Sequence, residues 1–375
     1  MPRMDARIAA LLTVTCLLPA AAAAVTGAYS AAVVMEERSG EILFAENEHA
    51  RLAPASMVKM MTELVVLEHA ARGELSLDDI VTVSARASRI GGSQVYLKEG
   101  ETFTVRDLLM ALAIHSGNDA GVALAEHVAG TDDAFVVLMN ARARELGMRD
   151  TVFHSVHGLP PARGQSSDLS SAHDMALLGR EICRHPESLS WAVMDQVPFR
   201  NGTFLLRNPN PLVGKLRGLE GIKTGYTVDA GFCLTAAATQ KGVRLISVVM
   251  GAKTNAARGS ETSRLLARGF TEYSPVKLVP AAGDSCPRQI PVKGGKLKTA
   301  GLVFTQPLEV GVRKARAGDV TLRYELPDRI EAPAAAGAVV GKAVAELDGK
   351  PLGEVPIALS AAVVKGSFWD RVFKR

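Results

Sequence analysis

Ser56 and Lys59 lie three residues apart in the segment Ser56-Met57-Val58-Lys59. On a helix this spacing places both side chains on one face, one turn apart, so the lysine amine can reach the serine oxygen. A serine hydroxyl is a poor nucleophile until a neighbouring base removes its proton. A lysine serves as that base only when its amine is neutral, because the ammonium form has no acceptor. The pair is therefore a candidate nucleophile and base for acyl transfer.

A second short motif, Ser116-Gly117-Asn118, lies between two predicted helices. The Ser116 hydroxyl can pass a proton towards a leaving amine, and the Asn118 amide can hold Lys59 and the amide of a substrate. Taken alone the motif is weak evidence, because a turn with Asn118 as a helix N-cap would contain the same residues.

A third motif, Lys223-Thr224-Gly225, occurs once and precedes a predicted hairpin. Lys223 on an edge strand supplies a positive charge, and a neighbouring cation together with burial lowers the pKa of Lys59. Thr224 offers a hydroxyl to the substrate. Gly225 has no side chain, so a substrate backbone can lie along this strand as an added strand.

The order and the context of the three motifs carry the functional prediction. Ser-x-x-Lys alone means little, since Ser274-Pro275-Val276-Lys277 is a second copy before a run without helical pattern. Here the first motif opens a helix, the second lies in an interhelical loop and the third precedes a hairpin. Such a set is the signature of penicillin-binding proteins and class A β-lactamases, with Gly117 in place of the aspartate of their Ser-Asp-Asn motif. The amide nitrogens of Ser56 and Tyr226 are then the expected oxyanion donors.

Hydrophobic periodicity predicts the elements that must position these motifs. Thr104 and Asp107 form a capping-box pattern at the start of one helix. Helices grouped between strands that form hairpins indicate an α+β fold, an antiparallel sheet flanked by helices. Helices are predicted over residues 56–71, 105–115, 119–128, 132–146, 172–184 and 258–273, and strands over 32–37, 41–46, 231–239 and 243–250.

The length and composition predict two globular domains. The chain has 375 residues, more than one ordinary hydrophobic core holds. We predict a catalytic domain over residues 25–275 and a small all-β domain over residues 276–362, where short strands are punctuated by glycine and proline. The net charge of +4 and the scattered aromatic residues give no sign of nucleic-acid binding.

Residues 1–24 are predicted to be a secretory signal peptide. Arg3 and Arg7 precede an apolar run over residues 8–18, and small residues follow up to a cleavage site near Ala24. The mature protein is therefore expected outside the cytoplasm.

Three cysteines remain after this cleavage: Cys183, Cys233 and Cys286. Their wide spacing fits no metal motif, so no metal is predicted. Cys233 lies in an apolar run and is expected to be buried. A disulfide between Cys183 and Cys286 stays open, because the sequence does not give its geometry.

The segments around the motifs resemble the low-molecular-weight penicillin-binding proteins, the serine-type D-alanyl-D-alanine carboxypeptidases of the S11 peptidase family. The likeness covers roughly residues 31–275, and the β-domain behind it matches the layout of that family. It implies a β-lactamase/transpeptidase-like fold and a penicillin-sensitive enzyme, without cofactor, that removes the terminal D-alanine from peptidoglycan pentapeptide stems. The similar segments are residues 53–62, 116–120, 146–148, 157–159 and 221–227.

The resemblance also implies a role for Arg258. In the family an arginine after the last core strands receives the terminal carboxylate of the substrate, and a guanidinium suits a carboxylate because it forms a two-pronged hydrogen bond. His157 either borders the site, as in the family, or is a structural loop residue. One departure is Asp168-Leu169, where the family usually has a His-Tyr or similar pair.

The last segment, residues 363–375, is predicted to be an amphipathic tail. Val364, Phe368, Trp369, Val372 and Phe373 form one apolar stripe at helical spacing, and basic residues cover the other side. This pattern is typical of a helix in a membrane interface and resembles the C-terminal anchors of the family. It predicts a periplasmic protein attached to the outer face of the cytoplasmic membrane. A frayed tail, or one docked on the β-domain, is the alternative.

Two other activities share parts of this signature. A β-lactamase needs an additional glutamate for deacylation, and the chain contains no Glu-x-x-Leu-Asn segment. A DD-endopeptidase that cuts peptidoglycan cross-links uses the same chemistry, but such relatives usually lack the β-domain. A scaffold with a decayed site would have a broken motif, and none is broken here.

Overall fold

The computed structural model describes residues 26–367. The predicted signal peptide and residues 368–375 of the predicted tail lie outside the described residues. The chain contains both helices and strands up to Glu272, and strands dominate from there on.

The strands of the catalytic part are β1 Ala31–Glu36, β2 Ile42–Glu46, β3 Ile80–Thr82, β4 Thr102–Thr104, β5 Gln196–Phe199, β6 Phe204–Arg207, β7 Leu219–Thr227, β8 Gly231–Gln240 and β9 Val243–Ala252. The helices are α1 Lys59–Ala71, α2 Ala85–Arg89, α3 Val105–Met110, α4 Asn118–Ala129, α5 Asp132–Glu145, α6 Ala172–Ile182, α7 Pro186–Ala192 and α8 Asn255–Glu272.

Five antiparallel strands form the central sheet in the order β2-β1-β9-β8-β7, so β7, which carries the third motif, is an edge strand. β8 and β9 are predominantly apolar because both of their faces are covered. In β9, Ile246 and Val248 belong to the core shared with the helices α1, α4 and α6. Leu245 and Val249 belong to the core beneath α8. The predicted α+β fold is confirmed.

Three predicted helices differ from the observed ones in ways that matter for the site. Residues 55–58 form a 3-10 turn that continues into α1, and the helix after Thr104 ends as a π turn over Ala111–His115. The Thr104–Asp107 capping box is present. The last long helix begins at Asn255, with Thr254 as N-cap, so Arg258 lies about one turn inside it rather than at its start.

The C-terminal part is all β, as predicted, and has its own core around Val310, Val355 and Ile357. Its main sheet has the order β14-β16-β17-β12-β11-β15, and β10 pairs with β13. The strands are β10 Tyr273–Val279, β11 Ser285–Lys293, β12 Thr299–Phe304, β13 Leu308–Arg313, β14 Thr321–Glu325, β15 Ile330–Glu331, β16 Val339–Leu347 and β17 Lys350–Leu359.

Residues 363–366, predicted to begin the tail, pair with the β-domain instead. Val363 exchanges backbone hydrogen bonds with Ala334, and Gly366 donates to the carbonyl of Gly294 at 2.9 Å. The hydrogen-bonded part of the β-domain therefore extends to Gly366.

Cys183, Cys233 and Cys286 are all free and buried, so the disulfide left open between Cys183 and Cys286 is not formed. Within residues 26–367 no group of histidine, cysteine and acidic side chains is arranged to hold a metal ion. No helix in that range is both long enough and apolar enough to cross a bilayer.

Candidate active site

Ser56 lies in the tight turn that precedes α1. The residue before it, Ala55, has φ 50°, a left-handed conformation that L-residues rarely adopt. This turn presses against β7, because a Cβ atom on Gly225 would lie only 2.7 Å from the carbonyl oxygen of Pro54. Gly225 is therefore required by the approach of the nucleophile's own turn. This adds a second reason to the sequence-based one, which was room for a substrate backbone.

Lys59 is fully buried and meets Ser56 as the spacing predicts. Its Nζ lies 2.9 Å from Ser56 Oγ and donates a hydrogen bond to the carbonyl oxygen of His157 at 2.8 Å. Burial, and next the positive charge of Lys223, lower the pKa of Lys59 well below its ordinary value, against the opposing effect of acidic neighbours. A neutral amine in this position has a lone pair that can accept the Ser56 proton.

Ser116 and Asn118 flank the start of α4 and carry polar atoms without partners. Ser116 ends the π turn with φ 66°, and its buried Oγ has no hydrogen-bond partner among the described residues. Asn118 donates from Nδ2 to the carbonyl of Gly91 at 2.6 Å, while its Oδ1 is buried and likewise unpaired in residues 26–367. The predicted contact from Asn118 to Lys59 is not formed. Buried polar atoms are normally satisfied, so these two fit a site that a ligand completes.

Lys223 is buried on β7, and its Nζ donates to the carbonyl of Thr224 at 3.1 Å. Burial lowers its pKa to about 7, and the carboxyl of Glu63 opposes that shift. Thr224 is also buried, whereas Tyr226 is half exposed and packs its ring 4.2 Å from that of Phe232. The third motif is thus buried in the edge strand, which reaches the surface at Tyr226.

Arg258 lies inside α8 and is 4% exposed. Its Nη1 donates to the carbonyl oxygens of Gly225 at 3.4 Å and Cys233 at 3.3 Å, and its Nη2 donates to Asn255 Oδ1 at 2.6 Å. Burial lowers its pKa to about 10. No described carboxylate pairs with it, and its Nε has no partner in this part of the chain. A buried cation with only neutral partners is incompletely compensated, which suits an anionic ligand.

Comparison with known proteins identifies this arrangement. The family model of D-alanyl-D-alanine carboxypeptidases matches residues 19–254. The chain belongs to the D-alanyl-D-alanine carboxypeptidase family. The model of the penicillin-binding protein 5 C-terminal domain matches residues 273–365 of this carboxypeptidase. The resemblance, the enzyme class and the activity predicted from the sequence are confirmed.

Relatives are similar over nearly the whole carboxypeptidase chain. The D-alanyl-D-alanine carboxypeptidase DacF of Bacillus subtilis is 36% identical over 90% of this chain and 86% of its own. Penicillin-binding protein 5 of Haemophilus influenzae has a crystal structure that covers 91% of this chain and 99% of its own, at 34% identity and a TM-score of 0.65. Penicillin-binding protein D2 of Listeria monocytogenes, solved in an ampicillin-bound form, is 34% identical, covers 66% of this chain and 99% of its own, and has a TM-score of 0.60.

His157 contributes to the carboxypeptidase site through its backbone. Its carbonyl holds Lys59, while its ring Nδ1 accepts a hydrogen bond from the amide of Leu159 at 3.1 Å. The next residue, Gly158, has φ 78°, and a Cβ there would overlap the carbonyl oxygen of Ala55. The His-Gly-Leu segment therefore supports both the base and the turn of the nucleophile.

Sequence reasoning missed three carboxylates of the carboxypeptidase. Asp119 accepts the amides of Val95 and Leu97 and so holds a loop near the second motif. Asp168, the departure from the family pattern, is buried and accepts the amides of His154 at 2.6 Å and Ser155 at 2.9 Å.

Glu63, the third missed carboxylate, lies one turn beyond Lys59 on α1 and is 2% exposed. Burial raises its pKa to about 7, against the opposing charge of Lys223. A glutamate among the apolar residues of α1 was the sequence signal that could have identified it.

Proposed function

We propose that this carboxypeptidase removes the terminal D-alanine from peptidoglycan pentapeptide stems through an acyl-enzyme on Ser56, with Lys59 as the base. The observation that carries this mechanism is the 2.9 Å contact between Ser56 Oγ and the fully buried Nζ of Lys59. Burial lowers the pKa of Lys59 and so favours the neutral amine, and a neutral amine beside a hydroxyl is the arrangement that activates a serine.

In the acylation step, Lys59 takes the Ser56 proton while Oγ attacks the carbonyl of the penultimate D-alanine. The negative oxygen of the tetrahedral intermediate accepts hydrogen bonds from the amides of Ser56 and Tyr226. The carbon–nitrogen bond then breaks. Ser116 gives its proton to the departing D-alanine amine and regains one from the Lys59 ammonium.

In the deacylation step, a water molecule attacks the ester carbonyl of the acyl-enzyme. Lys59 accepts a proton from that water and returns it to Ser56 Oγ as the carbon–oxygen bond breaks. The tetrapeptide leaves as a carboxylic acid that loses its remaining proton to solvent, and the enzyme returns to its starting protonation state.

Lys223, Thr224 and Asn118 bind the substrate in this proposal. The peptide lies along the open edge of β7 as an added strand, where Thr224 offers its hydroxyl and the unpaired Oδ1 of Asn118 accepts a substrate amide. The charge of Lys223 disfavours protonation of Lys59.

The same nucleophile accounts for penicillin sensitivity. The ampicillin-bound structure of the Listeria relative supports β-lactam binding by this chain. A β-lactam carbonyl acylates Ser56 in the same way, but the opened ring keeps its leaving nitrogen attached and in the site. The adduct is therefore expected to be long-lived.

Arg258 receives the terminal carboxylate of the substrate in this proposal. Hydrogen bonds to charged groups contribute about 1.5–3 kcal/mol, which corresponds to roughly ten- to a hundred-fold in specificity. We expect Arg258→Ala to lower kcat/KM on a pentapeptide with a free terminus by about that factor, with little effect on the same peptide amidated at its terminus. Hydrolysis of both peptides by both proteins measures this preference.

For one protein, the ratio of the hydrolysis rates of the free-acid and the amidated peptide does not depend on the fraction of the protein that is folded. Arg264→Ala, at an exposed arginine of the same helix that pairs with Glu261, is the matched control and should keep the wild-type ratio. Equal hydrolysis of acid and amide by the wild type would count against the carboxylate role and in favour of endopeptidase activity.

Export and membrane attachment complete the proposal. We propose that residues 1–24 direct export to the periplasm and that the tail binds the outer face of the cytoplasmic membrane. The apolar stripe and the basic residues of the tail support this placement. Because residues 363–366 belong to the β-domain ladder, a truncation that tests the tail must begin after Ser367.

Deletion of residues 368–375 is expected to release the mature protein from anionic vesicles while D-alanine release from a soluble pentapeptide stays unchanged. Co-sedimentation with vesicles and the peptide assay measure the two effects. Undiminished vesicle binding by the truncated protein would show that the tail is not the anchor.

A further inference from the structure

Three segments of the β-domain meet beside Ser367, the last described residue, namely residues 294–298, 334–337 and 361–366. We call their common surface the tail-exit face. Backbone hydrogen bonds hold it together: the amide of Lys296 donates to the carbonyl of Val364 at 2.9 Å, and Val363 and Ala334 exchange hydrogen bonds at 2.8 and 3.0 Å. The face is therefore part of the folded domain.

The tail-exit face presents apolar side chains to solvent. Leu297 is 70% exposed and Val364 is 62% exposed, and they are joined by four exposed alanines. These alanines are Ala335, Ala336, Ala361 and Ala362. Beside Leu297 and Val364 lies a shallow cavity of about 140 Å³. A clustered apolar surface on a folded domain marks a site of interaction more often than a scattered exposed residue does.

The charges of the face have one sign. Its three segments contain Lys296, Lys298 and Lys365 and no acidic residue. None of these lysines forms an ion pair with a residue of the range 26–367. Apolar side chains surrounded by unpaired lysines complement an anionic phospholipid surface, where each basic residue strengthens binding roughly fivefold.

The course of the chain favours the same partner. Ser367 is the last described residue, and the eight that follow include Phe368, Trp369, Val372 and Phe373. The tail continues from the segment that carries Val364, so a surface that binds the tail is within reach of Val364 and Leu297. A single weak anchor gives marginal, reversible membrane binding, and a second contact makes it stable.

We propose that the tail-exit face itself docks on the anionic phospholipid surface, with Leu297 and Val364 inserted at the headgroup level and the three lysines against the lipid phosphates. This inference rests on the proposed membrane attachment of the tail and adds a second, folded contact to it. The two contacts restrict how the β-domain can turn relative to the bilayer.

Tryptophan fluorescence in the full mature chain tests insertion directly. The chain has two tryptophans, of which Trp191 is buried and Trp369 is in the tail. Leu297→Trp in a Trp369→Phe background places the only other indole on the tail-exit face. On vesicles of phosphatidylglycerol and phosphatidylcholine with brominated acyl chains, we expect a blue shift of the emission of this indole and quenching of its fluorescence. Val137→Trp in the same background is the matched control, since Val137 is 66% exposed on α5, and it should show neither.

A charge at the same position tests the contribution to affinity. Leu297→Glu in the otherwise native chain is expected to lower the partition coefficient on these vesicles about tenfold or more. Val137→Glu should leave it unchanged, and both variants should keep D-alanine release from a soluble pentapeptide.

The outcomes separate this inference from the attachment of the tail. Quenching of the native Trp369 without quenching of a tryptophan at position 297, or a Leu297→Glu protein that binds as tightly as wild type, would overturn the second contact and leave the tail as sole anchor. Absence of quenching at both positions would overturn membrane attachment altogether.

Discussion

Ser56→Ala should abolish both D-alanine release and covalent labelling by penicillin. The hydroxyl is the atom that carries the acyl group, and alanine offers no substitute. Loss of the nucleophile of a serine hydrolase lowers kcat by a factor on the order of 10⁶. Mass spectrometry of the intact protein after incubation with penicillin, together with a pentapeptide assay, measures both effects.

The second Ser-x-x-Lys copy provides the matched control for this variant. Ser274 lies on β10 of the β-domain ladder, paired with Val312, and far along the chain from the other motifs. The Ser274→Ala protein should be labelled by penicillin and should hydrolyse the pentapeptide as the wild type does. A penicillin adduct mapped to any serine other than Ser56 would contradict the mechanism.

Lys59→Arg should lose about 100- to 10,000-fold in kcat/KM, the usual range of a general-base contribution. The substitution keeps a basic side chain but removes the base, because a guanidinium does not give up its proton. Lys277→Arg, in the second Ser-x-x-Lys copy, should leave kcat/KM unchanged. Circular dichroism shows whether the bulkier side chain at the fully buried position still permits folding.

The pH dependence of the wild type tests the same role by another route. Only the neutral amine of Lys59 can accept the Ser56 proton, and the lowered pKa keeps it neutral to lower pH than a free lysine. Activity should therefore extend to lower pH than an ordinary lysine base would allow and fall as the pH drops through the pKa of Lys59 in the folded enzyme. A folded Lys59→Arg protein with activity within a few-fold of wild type would exclude the base role.

The helices and hairpins were predicted well from the sequence because they depend on interactions between residues that are close together in the chain. The capping box at Thr104, the hairpin of β8 and β9 and the helix that follows Ser56 all follow from residues close together in sequence. The short elements α2 and α7 and the hairpin of β5 and β6 were missed, since a few residues give too weak a period.

Contacts between distant segments could not be predicted from patterns. The carbonyl of His157 on Lys59 and the clash that fixes Gly225 depend on how loops and β7 pack around the Ser56 turn. The predicted bond from Asn118 to Lys59 is not formed: Asn118 Nδ2 donates to the carbonyl of Gly91, and Lys59 Nζ contacts Ser56 and His157 instead. The motifs thus predicted the candidate residues of the site, whereas the individual hydrogen bonds between them depend on tertiary packing.

The burial that makes Lys59 a base also weakens the folded domain. In the unfolded chain a lysine amine holds its proton up to about pH 10.5, whereas folding lowers the pKa of both Lys59 and Lys223. The unfolded state therefore binds more protons between the folded and unfolded pKa values, and the free energy of unfolding rises with pH across that interval. For Lys223 the interval begins at about pH 7. Burial of Lys59 and Lys223 thus lowers the free energy of unfolding at neutral pH. The same burial favours the neutral amine that activates Ser56, so catalysis and stability place opposite demands on these two side chains.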